Sequence, residues 1–325
     1  MNDILRIPYD LLRPLYKRTS FHKSVVEEVG DERLKAAYMQ CRSITREHAK
    51  TFYMATRFLP NQKQRGIFAI YSLCRYIDDL VDEAEDLVSK RELDYKGIHR
   101  NLDQWKKKLD DTYKGKSHDN PILIAFSDVL RSYNIPIQLP FELMDGVCMD
   151  LYKNRYESFE EVYDYSYKVA SIVGLMTSEV FGYKNKEALD YAVDLGIAMQ
   201  LTNILRDVGE DLQKNRIYLP KEDLDRFGIS ENDLFQHKRD SAFLEMMKFQ
   251  IQRTRDYYNR SDKGIPLLSK DSRLPVYLAR HNYSRILDKI EANDYNVFEH
   301  RAYLNSTEKI SIIPRIMYHM KFGSS

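Results

Sequence analysis

Apolar residues recur along most of the chain at spacings of three and four, with almost no sustained alternation of apolar and polar positions. This periodicity puts apolar side chains on one face of an α-helix, whereas alternation would indicate a β-strand. Short polar or proline-bearing joints separate the periodic segments. The pattern predicts an all-α fold, with helices at 31–58, 63–86, 91–113, 121–132, 139–153, 159–181, 186–213, 231–260 and 272–293.

The domain organisation follows from the joints between these helices. A chain of 325 residues allows one large domain or two ordinary ones. The most hydrophilic joint, at 114–120, is too short for a domain linker, and helices of similar character flank it. No repeat of fixed period is present. We therefore expect an N-terminal extension over 1–30, one domain over 31–310 and a C-terminal tail over 311–325.

Composition and charge narrow the class of protein. The chain is 43% hydrophobic and 30% charged, as folded proteins are, and its formal net charge is +1. This charge gives no bulk reason to expect nucleic acid as a partner. The three cysteines, Cys41, Cys74 and Cys148, are widely spaced and form neither a disulfide framework nor a metal motif. We expect a protein of the reducing cytoplasm without a nucleic-acid partner.

The sequence predicts neither export nor a membrane span. No stretch reaches the roughly 18 uninterrupted apolar residues of a spanning helix, and charged residues interrupt the start of the chain where a secretory signal would be apolar. Peripheral contact with the inner membrane face stays open. Its candidate is the basic N-terminal stretch with Leu11, Leu12, Leu15 and Tyr16, whose ordinary role would be packing or disorder. The sequence leaves the oligomeric state open.

The predicted helix at 63–86 carries carboxylates within its apolar stripe. At about 100° per residue, Asp78 falls among the apolar positions, Asp82 and Arg75 lie at their edge, and Asp79 turns towards solvent. A solvated face is the ordinary interpretation of an acidic run. However, an ionised carboxylate buried without a partner is strongly destabilising. We therefore expect Asp78 to lie at a cavity or to pair with a cation.

A second polar row lies on the predicted helix at 186–213. Gln200, Asn203, Asp207 and Asp211 follow one another at spacings of three, four and four, so they share a sector of about 80° beside an apolar stripe. Taken alone, this row could be a polar seam that another helix satisfies. Together, the two acidic helices favour a cavity lined by oxygen ligands.

The donor set indicates a metal and a phosphorylated ligand. Hard oxygen ligands without clustered histidine or cysteine suit Mg²⁺, with Mn²⁺ as a possible replacement. Mg²⁺ commonly takes one or two carboxylates and completes its shell with water and phosphate oxygens. Arg75, Arg206 and Arg216 would add bidentate donors to a phosphate. Carboxylates on two helices can therefore clamp an anionic substrate between them.

Other catalytic classes lack their motifs. GxSxG is absent, as are GxGxxG and GxxxxGK[ST], which speaks against a serine hydrolase, a Rossmann reductase and a P-loop enzyme. The chemistry that remains is metal-assisted departure of diphosphate to leave a carbocation. An apolar helical barrel would shield that cation from water.

The sequence resembles the squalene and phytoene synthase family from about Ser43 to Leu304. The segments 71–82 and 200–211 carry the family's aspartate motifs. Further matching segments follow in the family's order at 48–52, 150–156, 165–174 and 216–220. The resemblance implies a single-domain isoprenoid synthase fold, in which helices surround a central cavity.

The resemblance also implies roles for individual residues. Asp78, Asp82, Asp207 and Asp211 match the aspartates that bind Mg²⁺ and diphosphate, and Asn203 is assigned with them as a metal ligand. Tyr71 and Arg75 complete the catalytic set. The residues assigned to substrate binding are His48, Phe52, Gln200, Asn203, Arg206, Arg216, Tyr283 and Arg301.

The reaction implied is the head-to-head condensation of two geranylgeranyl diphosphates to phytoene through a cyclopropyl diphosphate. The alternatives in the family use two farnesyl diphosphates and give dehydrosqualene or squalene, and only the squalene reaction needs NADPH. A catalytically silent relative, a head-to-tail elongator and a terpene cyclase are further alternatives. Cys148 stands where the C30-forming enzymes have tyrosine, which would leave room for longer chains. Lys168 and Ser171 depart from the family pattern, and Lys168 leaves the cavity wall in question.

Overall fold

The computed structural model describes the backbone over residues 24–89 and 95–322 and the side chains over 25–81 and 100–318. Within these ranges the chain is helical, without strands, and two isolated β-bridges join Arg155 to Ile217 and Tyr183 to Leu268. The all-α prediction is confirmed. No helix of the described part is both long and apolar enough to span a membrane.

The helices are numbered in chain order. They are α1 (Ser24–Glu27), α2 (Glu32–His48), α3 (Lys50–Thr56), α4 (Asn61–Ser89), α5 (Tyr95–Tyr113), α6 (Pro121–Ser132), α7 (Gln138–Cys148), α8 (Phe159–Ser166), α9 (Ile172–Phe181), α10 (Glu187–Arg206), α11 (Val208–Gln213), α12 (Lys221–Arg226), α13 (Glu231–Phe235), α14 (Ser241–Ser261), α15 (Lys270–Ala292), α16 (Ser306–Ser311) and α17 (Ile313–Phe322). A π-helical turn, Tyr167–Ser171, joins α8 to α9, and 3₁₀ turns lie at Met149–Leu151 and Ile265–Leu267.

Several predicted helices are divided in the structure. The segment predicted at 31–58 breaks at Ala49, and the one at 231–260 is interrupted before α14. The segment at 186–213 breaks at Asp207, whose φ of −103° and ψ of 10° end α10. The short helices α12, α16 and α17 were not predicted. By contrast, α6 has its predicted bounds, because Asn120 caps the Ile122 and Leu123 amides just before Pro121.

The two larger of the three apolar cores in the described part of the chain both border one cavity. The first surrounds α4, whose Ile67, Ile70 and Leu73 have no exposed surface. The second surrounds α10 and α14. Val169, in the π-helical turn, packs against both cores and also lines the cavity. The π-helical turn therefore forms part of the wall between them.

The π-helical turn and α10 approach each other closely at Gly196. A Cβ atom at this position would lie 2.6 Å from the backbone nitrogen of Ser171, so only glycine fits without a shift. The hydroxyl of Ser171 donates a hydrogen bond of 2.8 Å to the Val193 carbonyl of α10. Ser171, which departs from the family pattern, is therefore accommodated by a hydrogen bond to the same helix.

We predict that Gly196→Ala destabilises the protein, because the added methyl group meets backbone atoms that cannot rotate away. The expected loss in free energy of unfolding is about 1–3 kcal/mol. Chemical denaturation measures it. Gly30→Ala is the control, since no atom lies within 4 Å of a Cβ there, and its effect should stay within about 0.5 kcal/mol. Equal stability of the two variants would contradict the close approach.

Candidate active site

A cavity of about 590 Å³ lies between the two cores. Helix α10 forms one wall with residues spaced by three and four from Ala188 to Asn203. Asn203 follows Ala188 by fifteen residues, which corresponds to about 22 Å along the helix axis. The π-helical turn, α9 and α15 contribute mainly apolar side chains to the other walls. The cavity is therefore long and largely apolar, as a site for a hydrocarbon chain would be.

Gln200 and Asn203 line the cavity at the end of α10 that leads to Asp207, here called the mouth. Six residues predicted for the site line the cavity, and they are His48, Phe52, Tyr71, Gln200, Asn203 and Tyr283. The rings of Phe52 and Tyr71 lie 6.1 Å apart, centroid to centroid. Aromatic faces therefore lie beside the polar groups of the mouth.

Arg75 organises the acidic segment of α4. Its guanidinium donates to Asp78 at 3.0 Å and also forms an ion pair with Asp79. The side chains of Asp78 and Asp79 are 45% and 40% exposed, so Asp78 is no more buried than its neighbour. The helical projection was wrong on this point, although the expected cation partner of Asp78 is present. Asp82 follows on α4, but its side chain lies outside the described residues.

Two arginines hold Asp207. Arg206 donates to its two carboxylate oxygens at 2.7 and 2.5 Å, and Arg301 donates to the same oxygens at 2.8 and 3.2 Å. Arg301 also lies 3.5 Å from Glu210. Arg301 comes from far along the chain, so the predicted grouping of Arg206, Asp207 and Arg301 is present in space.

Asp211 lies on α11 rather than on α10. The four residues predicted as one row are therefore divided, with Gln200 and Asn203 on α10 and Asp207 at the break. Burial raises the pKa of Asp211 to about 7, and the negative charge of Asp207 acts in the same direction. Arg216 opposes this rise. Two carboxylates thus share a partly dehydrated site that a cation would stabilise.

The sequence-based prediction missed the carboxylate of Asp150, which lies close to Asp211. Asp150 accepts hydrogen bonds from the hydroxyls of Tyr165 at 3.0 Å and Tyr218 at 2.7 Å. Arg216 donates to the Asp150 carbonyl at 3.3 Å, and Asp150 contributes to the raised pKa of Asp211. These residues lie in three of the segments that carry the family resemblance, which was the available signal.

Two residues discussed for the cavity wall lie away from the cavity lining. The ammonium group of Lys168 forms an ion pair with Asp164 at 2.7 Å. Cys148 packs against the core around α4. Neither side chain lines the cavity. The cavity wall therefore supports neither the argument that Cys148 leaves room for longer chains nor the concern that Lys168 alters the wall.

Two tyrosines connect the acidic groups of the mouth. Burial raises the pKa of Tyr71 to about 12. The charge of Arg75 lowers this pKa, whereas Tyr283 and Asp78 raise it. Burial also raises the pKa of Tyr283, and Asp207 acts in the same direction, whereas Arg206 and Arg301 lower it. Tyr283 is close enough to Tyr71 to raise its pKa, and both tyrosines line the cavity. The arginine–aspartate pairs next to each tyrosine therefore flank the same mouth.

The oxygen donors of the mouth fit a hard cation whose coordination shell a phosphorylated ligand would complete. Asn203 Oδ1 is buried without a hydrogen-bond partner among the described residues, although its amide nitrogen donates to Gln200 at 3.3 Å. Such an oxygen calls for a donor or a cation. The described side chains contain no group of three His, Cys, Asp or Glu residues that could hold a metal. An Mg²⁺ ion held by these residues would therefore need phosphate oxygens and water for much of its shell.

The fold and the site together define a class of protein, an all-α protein with a long apolar cavity whose polar mouth lies next to arginine–aspartate pairs. The chain belongs to the squalene/phytoene synthase family, whose profile matches residues 45–308. It is 42% identical over 293 residues to the 15-cis-phytoene synthase of Synechocystis sp., which covers 86% of this chain and 84% of that protein. It is 40% identical over 296 residues to the 15-cis-phytoene synthase of Synechococcus elongatus, covering 87% of this chain and 93% of the relative.

Solved structures agree on the fold. A crystal structure of a dehydrosqualene synthase superposes with a TM-score of 0.80 at 29% identity, covering 89% of this chain and 98% of that one. A squalene synthase from Alicyclobacillus acidocaldarius gives a TM-score of 0.75 at 23% identity, covering 84% and 99%. The predicted isoprenoid synthase fold is confirmed.

We predict that Asp211→Asn changes how stability depends on pH in metal-free protein. Because the folded pKa is raised to about 7, the Asp211 contribution is present at low pH and is lost as the pH rises through about 7. The change in free energy of unfolding caused by Asp211→Asn should therefore be about 1–3 kcal/mol more favourable at pH 8 than at pH 5. Denaturation in a chelating buffer measures this difference. The exposed Asp225 supplies the control Asp225→Asn, and equal pH profiles for both variants would refute the shared burial.

Proposed function

We propose that this protein joins two geranylgeranyl diphosphates head to head to form phytoene and release two diphosphates. The observation that carries this proposal is the long apolar cavity whose mouth is lined by Tyr71 and Tyr283, with arginine–aspartate pairs next to these two tyrosines. Membership of the family and similarity to two proteins named 15-cis-phytoene synthase support the choice of product. An apolar cavity suits the prenyl chains, and the charged mouth suits the leaving groups.

The reaction begins with ionisation of one substrate. Its C1–O bond breaks, diphosphate leaves, and the double bond of the second substrate captures the allylic cation with loss of a proton. The product is a cyclopropylcarbinyl diphosphate. Its own ionisation, rearrangement and loss of a second proton give the hydrocarbon. Two C–O bonds break and two protons leave, so no external reductant is required.

The arginines of the mouth would bind the leaving group. Arg75, Arg206 and Arg301 each pair with an aspartate. Their planar guanidinium groups can present two parallel donors to phosphate oxygens, which favours bound diphosphate over diphosphate in water. Preorganised donors of this kind stabilise charge that develops as the C–O bond breaks. Arg216 is largely buried and supports the segment beneath Asp211.

The metal ligands proposed are Asp78, Asn203, Asp207 and Asp211, together with Asp82 from the sequence pattern. Bound Mg²⁺, or Mn²⁺ in its place, would neutralise negative charge on the departing diphosphate. Asn203 contributes the buried amide oxygen described above. NADPH takes no part in this proposal.

The aromatic residues would protect the cationic intermediates. Tyr71 and Phe52 present their rings at the mouth, where an allylic cation would form. A ring face attracts a cation through its quadrupole. Burial raises the pKa of Tyr71 to about 12, further above physiological pH than its ordinary value, so its hydroxyl is neutral there and does not quench the cation as a phenolate. His48 lines the same end and would help to position the first substrate.

A second candidate function is the formation of dehydrosqualene from two farnesyl diphosphates. The similarity in fold to a dehydrosqualene synthase, at a TM-score of 0.80, favours this candidate within the family. Both reactions use the same mouth and differ in the length of the prenyl chains. Contact with a membrane through residues 1–20 stays a prediction, because these residues lie outside the described part.

We predict a C40 hydrocarbon from geranylgeranyl diphosphate and Mg²⁺ without NADPH. Parallel incubations with C15 and C20 diphosphates, each with and without NADPH, followed by product chromatography, measure this. Exclusive C30 product would favour the second candidate. A longer diphosphate in place of a hydrocarbon would overturn the head-to-head assignment.

We predict that Asp78→Ala and Asp207→Ala each reduce Mg²⁺-dependent diphosphate release by at least about 100-fold. The reason is that each change removes a proposed metal ligand and one of the carboxylates that hold the arginines of the mouth. Asp194→Asn is the control, since Asp194 lies on α10, pairs with Arg260 and does not line the cavity. The control should keep most of the wild-type rate. Full activity of both alanine variants would show that the site is misassigned.

A further inference from the structure

The end of the cavity opposite the mouth is built differently from the rest of the wall. Ala188 and Tyr191 of α10 line it, together with Gly264 and Leu268 from the turn that precedes α15. Tyr191 stands twelve residues before Asn203, or about 18 Å along the helix axis. A prenyl chain whose diphosphate lies at the mouth would therefore extend towards Tyr191.

The backbone at this end is fixed by hydrogen bonds. Lys184 donates to the Leu267 carbonyl at 2.9 Å, and Ser269 donates to the Gly182 carbonyl at 2.8 Å. The isolated bridge between Tyr183 and Leu268 joins the same two segments. These contacts tie the segment before α10 to the turn before α15. Side chains, rather than movement of this backbone, therefore set the depth of the cavity.

Tyr191 packs directly against Gly264. A Cβ atom at Gly264 would lie 3.0 Å from Cγ of Tyr191 and closer still to its Cβ, so the tyrosine occupies the space that a side chain would need. The Tyr191 hydroxyl donates to the exposed carboxylate of Glu187 at 2.8 Å. The ring thus lines the cavity while its hydroxyl points to solvent, as amphipathic side chains commonly do. This hydrogen bond holds the ring across the boundary between cavity and water.

We propose that Tyr191 is the end wall of the prenyl-chain site and determines the longest chain that the cavity accepts. This inference rests on the proposed prenyl diphosphate substrates. The wall acts through the size of its ring, because an apolar pocket discriminates between chain lengths mainly by steric exclusion and by the apolar surface it buries. Ala188, one turn earlier on the same face, leaves the remaining space free at this end.

The test compares C15, C20 and C25 prenyl diphosphates in competition on the same protein sample with Mg²⁺. Tyr191→Ala should raise the ratio of C25 to C20 consumption by about tenfold. Ala188→Leu should have the opposite effect and lower the ratio of C20 to C15 consumption by about tenfold. Tyr191→Phe should keep the wild-type ratios, because it retains the ring. Ratios from one sample do not depend on the fraction of folded enzyme.

Tyr257→Ala is the matched control, since Tyr257 is a half-buried tyrosine that packs near Phe159 and Tyr163 and does not line the cavity. It should leave every ratio unchanged even if it lowers stability. If Tyr191→Ala and Ala188→Leu give the same ratios as Tyr257→Ala, the end-wall assignment is wrong. If the wild-type protein makes no head-to-head product from any of the three diphosphates, the proposed function fails instead.

Discussion

The acidic mouth depends on pairing between arginines and aspartates. Asp78, Asp207 and Asp211 are acidic side chains beside one end of an apolar cavity, where like charges repel one another. Arg75 pairs with Asp78, and Arg206 and Arg301 pair with Asp207. Asp211, where the opposing effect of Arg216 is outweighed, has a raised pKa. The same guanidinium groups can bind diphosphate, so the contacts that hold the mouth together without substrate also prepare it for an anionic ligand.

The fold could be predicted well from the sequence because its main signals are local. The apolar periodicity of α4 and α10 reports which face is buried, and Asn120 with Pro121 marks the start of α6. The break at Asp207 has a tertiary cause instead. Gly209 donates to the Val297 carbonyl at 3.2 Å, and a Cβ there would lie 2.5 Å from the Phe298 carbonyl oxygen. Helix α11 therefore turns onto a backbone segment almost 90 residues later, which no local pattern reveals.

The candidate site shows the same division. Spacing identified Asp78 on α4 and Gln200 and Asn203 on α10, because these positions are regular within one helix, whereas the break at Asp207 divides the rest of the second row. The family resemblance was needed for Tyr283 and Arg301, because neither residue belongs to a regular polar row along the chain. The carboxylate of Asp150 was missed as a site residue, because its partners Tyr165 and Tyr218 come from separate segments. Their meeting depends on packing among aromatic rings, which spacing along the chain does not encode.

Helix α10 links the two ends of the cavity and fixes the distance between them. Its C-terminal turn carries Gln200 and Asn203 at the mouth, and its first turns carry Ala188 and Tyr191 at the far end. An α-helix rises about 1.5 Å per residue, so the separation follows from sequence position alone. Close contact with the π-helical turn at Gly196 holds this helix against the opposite wall. Because the helix is rigid over this length, a change at Tyr191 can alter the depth of the cavity without moving the residues proposed to bind diphosphate. Chemistry at the mouth and selection of chain length can therefore vary independently on one helix.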